Sequence, residues 1–108
     1  MNEIKLIRGD TETIRISFKN GAESSYEENS QFTFTARNAY TAEIMLSKVI
    51  EFPQLDFNLT HDETKKLSEG NHVYDIEFRK KDNSVVKTLV KGTLVVEGDV
   101  TYDTNWFR

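Results

Sequence analysis

Tyr74-Asp75-Ile76-Glu77-Phe78-Arg79, then Lys81-Asp82-Asn83-Ser84, then Val85 through Val96, is the stretch whose reading decides the fold. Its first part sets Tyr74, Ile76 and Phe78 against Asp75, Glu77 and Arg79 with a period of two. A strand sends successive side chains to opposite faces, so this pattern predicts a strand with one face in a core and one in water. The four polar residues that follow fit a hairpin loop. Val85 to Val96 is then a long return strand. Gly92 interrupts it, and a glycine inside a strand marks a bulge or bend, so the last piece is expected to change sheet there.

The same period recurs towards the N-terminus. Ile4 and Leu6 open a short strand that stops at Gly9-Asp10, and Ile14, Ile16 and Phe18 alternate with polar residues up to the Asn20-Gly21 turn signal. Residues Ala22 to Ser30 are polar and read as a loop. Phe32, Phe34 and Ala36 form another stripe, and Asn38 to Thr41 a connector. Glu43 to Phe52 carries Ile44, Leu46 and Ile50 on one parity with Met45 and Val49 on the other. That suits a strand buried on both faces or a helix; the β-branched residues and Pro53 favour a strand. Leu55, Phe57 and Leu59 make a further stripe. Thr60-His61-Asp62-Glu63 is a capping box, in which the Thr60 hydroxyl accepts from the third amide and Glu63 reaches back to the Thr60 amide. It predicts one short helix, with Leu67 facing inward and Gly70 free to adopt positive φ.

The chain of 108 residues is long enough for one domain, 1–108. Short strands separated by regular turns predict an all-β fold, an antiparallel β-sandwich of six to eight strands with one short helix. The expected core is Ile14, Ile16, Phe18, Phe32, Phe34, Leu55, Phe57, Leu59, Leu67, Tyr74, Ile76, Phe78, Leu89, Leu94 and Val96. Seven Phe, four Tyr and one Trp argue against disorder.

Composition excludes several functions. The absence of cysteine removes disulfides, thiolate nucleophiles and zinc–sulfur sites. A net charge of -4 gives no reason to expect nucleic-acid binding. Met1-Asn2-Glu3-Ile4-Lys5 is not a basic region followed by an apolar one, and no apolar run approaches the roughly 20 residues of a spanning helix. Neither a secretory signal nor a membrane partner is therefore expected.

No motif for catalysis stands out. Arg8-Gly9-Asp10 spells an integrin-binding tripeptide, but a turn that ends a strand explains it. Asn58-Leu59-Thr60 fits a glycosylation sequon, yet Thr60 is taken by the helix cap. His61, Asp62 and Glu63 are adjacent at a helix start and do not point at one centre. Asp75 and Glu77 share the solvent face of a strand. Asp75, Glu77, His61 and His72 are expected to be separate surface groups: no catalytic, cofactor-binding or metal-ligating residue is assigned. Arg79-Lys80-Lys81 reads as a hairpin tip better than as a phosphate patch. Trp106 and Phe107 stand near the C-terminus, where they are expected to close a sandwich edge, to dock on a neighbouring subunit, or to mark where a domain ends. With Tyr102 they are the expected interface residues. Tyr26, Tyr40 and Tyr102 lie outside the alternating stripes and are the aromatic candidates for a rival reading, a small-ligand or carbohydrate-binding β-sandwich.

One resemblance runs through most of the chain. Ile7-Arg8-Gly9-Asp10-Thr11 opens it, Leu55-Asp56-Phe57-Asn58-Leu59-Thr60 and Tyr74-Asp75-Ile76-Glu77 fill its middle, and Thr88 to Val96 with Gly98-Asp99-Val100-Thr101 closes it. This ordered set resembles small structural proteins of tailed phages and prophages, and is similar to the N-terminal immunoglobulin-like domain of phage upper-baseplate proteins. The pattern departs from the family between Gly21 and Tyr40. The resemblance implies a non-enzymatic virion component of the tail or baseplate, made in the bacterial host cytoplasm and then built into the virion. It implies no cofactor; its partners would be other tail or baseplate proteins, or further copies of itself.

Overall fold

A computed structural model describes residues 2–16 and 30–98. Its elements are β1 (Asn2–Ile7), β2 (Glu12–Arg15), β3 (Ser30–Arg37), β4 (Ile44–Glu51), β5 (Asp56–Leu59), α1 (His61–Lys65), β6 (Gly70–Lys80) and β7 (Val86–Glu97). The described residues are all-β apart from one short helix. A five-stranded sheet has the order β1-β7-β6-β3-β4, and β2 pairs with β5 in a two-stranded sheet.

The predicted hairpin stands at the centre of the larger sheet. β6 and β7 pair antiparallel, and the loop between them is closed by the Lys80 amide on the Val85 carbonyl at 3.0 Å. Asn83 takes φ 63° in that loop, a left-handed conformation that asparagine tolerates better than most residues. β6 also pairs antiparallel with β3, and β3 with β4. The two sheets meet through the apolar parity of each strand. Phe34 on β3 touches Phe57 on β5 with ring centroids 5.9 Å apart and stacks on Tyr74 of β6 at 5.7 Å. Phe32 and Phe78, cross-strand partners, lie 5.8 Å apart. Leu6, Ile16, Ala36, Leu46, Ile50, Leu59, Leu67, Ile76, Leu94 and Val96 complete this core.

Several expectations need correction. The sheet is mixed rather than wholly antiparallel, because β1 runs parallel to β7, from Asn2 beside Gly92 to Ile7 beside Glu97. Gly92 is neither a bulge nor a point of sheet exchange. A Cβ there would lie 1.8 Å from the Asn2 carbonyl oxygen, so the glycine permits the close approach of β1. The irregularity in β7 falls earlier: Ile76 pairs with Val90 and Glu77 with Thr88, which leaves Leu89 as the extra residue. β4 is buried on one face, not two. Ala36 pairs with Leu46 but Arg37 with Ile44, so a bulge at Met45 turns Ile44 onto the outer face beside Arg37. Val49 is likewise exposed.

Ile14, Leu55 and Leu89 pack against the core but are partly buried, since they lie at its rim. His72, expected at the surface, is only 3% exposed. β6 already begins at Gly70, so His72 shares the inward parity of Tyr74, Ile76 and Phe78. Phe18 lies outside the described residues.

Candidate interaction surface

The residues singled out for chemistry are dispersed by the fold. The Arg8-Gly9-Asp10 turn packs onto α1. The Asp10 amide closes it on the Ile7 carbonyl at 3.1 Å, and Gly9 takes φ 89°. Thr64 is fully buried beneath it: its hydroxyl accepts from the Gly9 amide at 3.0 Å and donates to the Asp10 carbonyl at 2.7 Å. Arg8 Nε donates to the Leu67 carbonyl at 3.0 Å. His61 joins the same contact through Nδ1 and the Gly9 carbonyl. The tripeptide thus acts as a turn bound into the fold.

The capping box forms as the sequence indicates. The Thr60 side chain accepts from the Glu63 amide, and Glu63 Oε1 accepts from the Thr60 amide at 2.8 Å. Lys48 of β4 donates to Glu63 at 2.8 Å and also reaches the Asn58 carbonyl. The Lys48 hydrogen bond, followed by the Thr60 amide, holds the Glu63 carboxyl below its ordinary range. Glu63 is therefore engaged in structure, and among the described residues no group of three or more His, Asp or Glu is arranged to hold a metal ion.

His72 lies on the inner face of β6, and Asp75 and Glu77 on the outer one. Its Nε2 contacts the Ser68 carbonyl at 2.9 Å and the Ser68 hydroxyl at 3.3 Å, while its Nδ1 has no hydrogen-bond partner among the described residues. Glu77 is paired with Arg79 at 3.0 Å, and Arg79 also reaches Asn83. Lys81 binds Glu51 at 2.9 Å, which ties the hairpin tip to β4 and lowers the Glu51 pKa from its ordinary value. These contacts bear out the hairpin-tip reading of Arg79-Lys80-Lys81.

What the fold does assemble is a surface. The small sheet packs on one face of the larger sheet. On the other, register places side chains in rows across the strands. Glu3, Thr93, Val73, Arg37 and Ile44 form one row, and Lys91, Asp75, Thr35 and Ser47 the next. A shallow groove of about 400 Å³ runs between β3, β6 and β7, lined by Thr35, Arg37, Val73, Asp75, Lys91 and Thr93. Arg37 is steadied by its hydrogen bond to the Ala42 carbonyl at 3.0 Å. Tyr74 borders the groove, but its ring stacks on Phe34 in the core, so the groove has no aromatic wall. Burial raises the Tyr74 pKa above its ordinary value.

Ile44, Val49, Val73 and Val86 all lie on this outer face, and each is about half exposed. Sequence reading missed them as a group, because the register that aligns them is not visible in any one segment. Tyr40, at 90% exposure, sits apart at the tip of the β3–β4 turn. The expected interface residues Trp106, Phe107 and Tyr102, and the other aromatic candidate Tyr26, lie outside the described residues.

No protein-family model matches the chain, and no curated protein matches it.

Proposed function

We propose that this chain is a non-enzymatic contact module, an adaptor or assembly domain of the tail or baseplate of a phage or prophage particle. It works through protein–protein contacts, with other virion proteins or further copies of itself as partners. The observation that carries this reading is the outer face of the five-stranded sheet, where Ile44, Val49, Val73 and Val86 present apolar surface among Arg37, Asp75 and Lys91. Apolar groups set among charged ones on a well-supported sheet suit an interface better than a pocket for chemistry. A two-sheet core holds that face in one shape, which limits the ordering cost of association. The resemblance to immunoglobulin-like baseplate domains supplies the kind of partner.

The test is sedimentation of the protein over a concentration range, alone and mixed with tail and baseplate proteins of tailed phages. A larger species, formed alone or with one of them, and weakened by Val73→Glu, is the expected result. A protein that stays monomeric, joins none of them and binds a sugar would replace this reading with the carbohydrate-binding one.

A further inference from the structure

Building on the contact-module reading, we propose that the edge of β7 from Val86 to Lys91, which no described strand covers, captures an acidic extended segment of a partner protein by strand addition. β1 lies along β7 only from Gly92 to Glu97, while β6 occupies the other side of β7 throughout. Over Val86–Lys91 no strand among the described residues takes the second side. Outward-facing amides and carbonyls on such an edge are a template for another chain. The edge offers about 20 Å at the usual rise of a strand. Asn2 closes one end, where its carbonyl sits against Gly92. The other end opens at the exposed loop Lys81–Val85.

Charge decides what enters. Lys87 and Lys91 are exposed, and neither makes an ion pair with a described residue. Nearby Glu77 and Glu51 are already held by Arg79 and Lys81. Asp75 stands opposite Lys91 in the register without bonding to it. A basic edge on a chain of net charge -4 is a local exception. A second copy pairing here would bring like charges together across the ladder, which is destabilising. The extra residue at Leu89 further breaks the regular ladder that indiscriminate pairing needs. A strand bearing carboxylates meets the opposite situation, since each lysine gains a partner.

Register also fixes the order of the incoming residues. Lys87 pairs with Phe78 and therefore lies on the inner face, whereas Lys91 lies on the outer face with Thr88 and Val86. With Leu89 as the extra residue, the matching strand carries one carboxylate opposite Lys87 and another three places on, with a β-branched or apolar residue beside Val90.

The experiment is an amide-shift titration of the isotope-labelled protein with a short capped peptide. It carries glutamate at its second and fifth positions and valine or threonine elsewhere. Shifts concentrated in Val86–Lys91, weakened by salt and absent with lysine in place of glutamate, are expected. The Lys87→Glu/Lys91→Glu variant should keep the remaining amide spectrum and bind at least about tenfold more weakly. Shifts spread over the outer face, equal binding by the variant, or no response would each overturn the proposal. A protein that ignores the peptide yet still forms a complex with a tail protein in sedimentation loses the edge assignment and keeps the contact-module reading. Specific capture of the peptide by a protein that joins no tail protein and does not self-associate supports the edge and removes the phage-assembly reading.

Discussion

The hydroxyl of Thr64 receives the Gly9 amide at 3.0 Å, so a buried side chain just after the helix cap holds the turn that ends β1. The same oxygen donates to Asp10, and both partners lie far from Thr64 in the chain. Thr64→Val keeps the shape and removes both bonds. It leaves a part-buried amide and carbonyl without their partner, and should cost about 1–3 kcal/mol in urea unfolding. Thr64→Ser should recover much of that loss.

Ile76 and Ile44 test the sheet register with one chemical change. Ile76 is buried in the core, and Ile44 is turned outward by the bulge at Met45. Ile76→Ala should cost about 2–5 kcal/mol. Ile44→Ala should fall within about 0.5 kcal/mol of the parent. Chemical denaturation of both variants checks the contrast; similar losses would mean that β4 is buried on both faces.

Glu63 gives the fold a dependence on pH. Its folded pKa is lowered, chiefly by the Lys48 hydrogen bond and then by the Thr60 amide. A lowered carboxylate pKa contributes stability that is fully present above the unfolded value and is lost as pH falls through the folded value. Glu63→Gln preserves the cap geometry and removes the charge. The gap between parent and variant should therefore be widest near neutral pH and close as the solution is acidified below the usual glutamate range. Urea midpoints at stepped pH measure it.

Gly92→Ala places a methyl group against the Asn2 carbonyl, at a separation no real Cβ adopts. Either β1 shifts outward or β7 bends. The expected loss exceeds about 1 kcal/mol, with amide protection falling first at Ile4, Lys5 and Leu6, while Phe34 and Ile76 stay protected.

How far the sequence carried follows from which interactions are local. The parity of Tyr74, Ile76 and Phe78, the 81–84 loop and the Thr60 capping box each lie within a few residues, and each reads correctly. His72 was within reach of the same parity once β6 was begun two residues earlier. Ile44 was not, because the bulge at Met45 depends on how β4 meets β3. Gly92 was read as a bend because its real neighbour, Asn2, is remote in sequence. The outer face depended on five strands in register. Asp75 and Glu77 were legible as solvent-facing, but the alignment of Val73 with Arg37 and Ile44 was not.

Among the described strands β1 has only β7 as its neighbour, and Asn2 meets Gly92 across almost the whole described chain. A ribosome therefore releases the first strand long before its mate exists. During synthesis Ile4 and Leu6 must wait, unpaired, while the β3–β4 pair and then β6 can assemble on one another. Closing so large a loop comes late and slowly, since its entropy is lost before the pairing rewards it. The nascent polypeptide is thus obliged to postpone completion of its sheet until its last described strand has left the exit tunnel. A translation pause upstream of Val86 would hold the newborn domain with β1 unpaired.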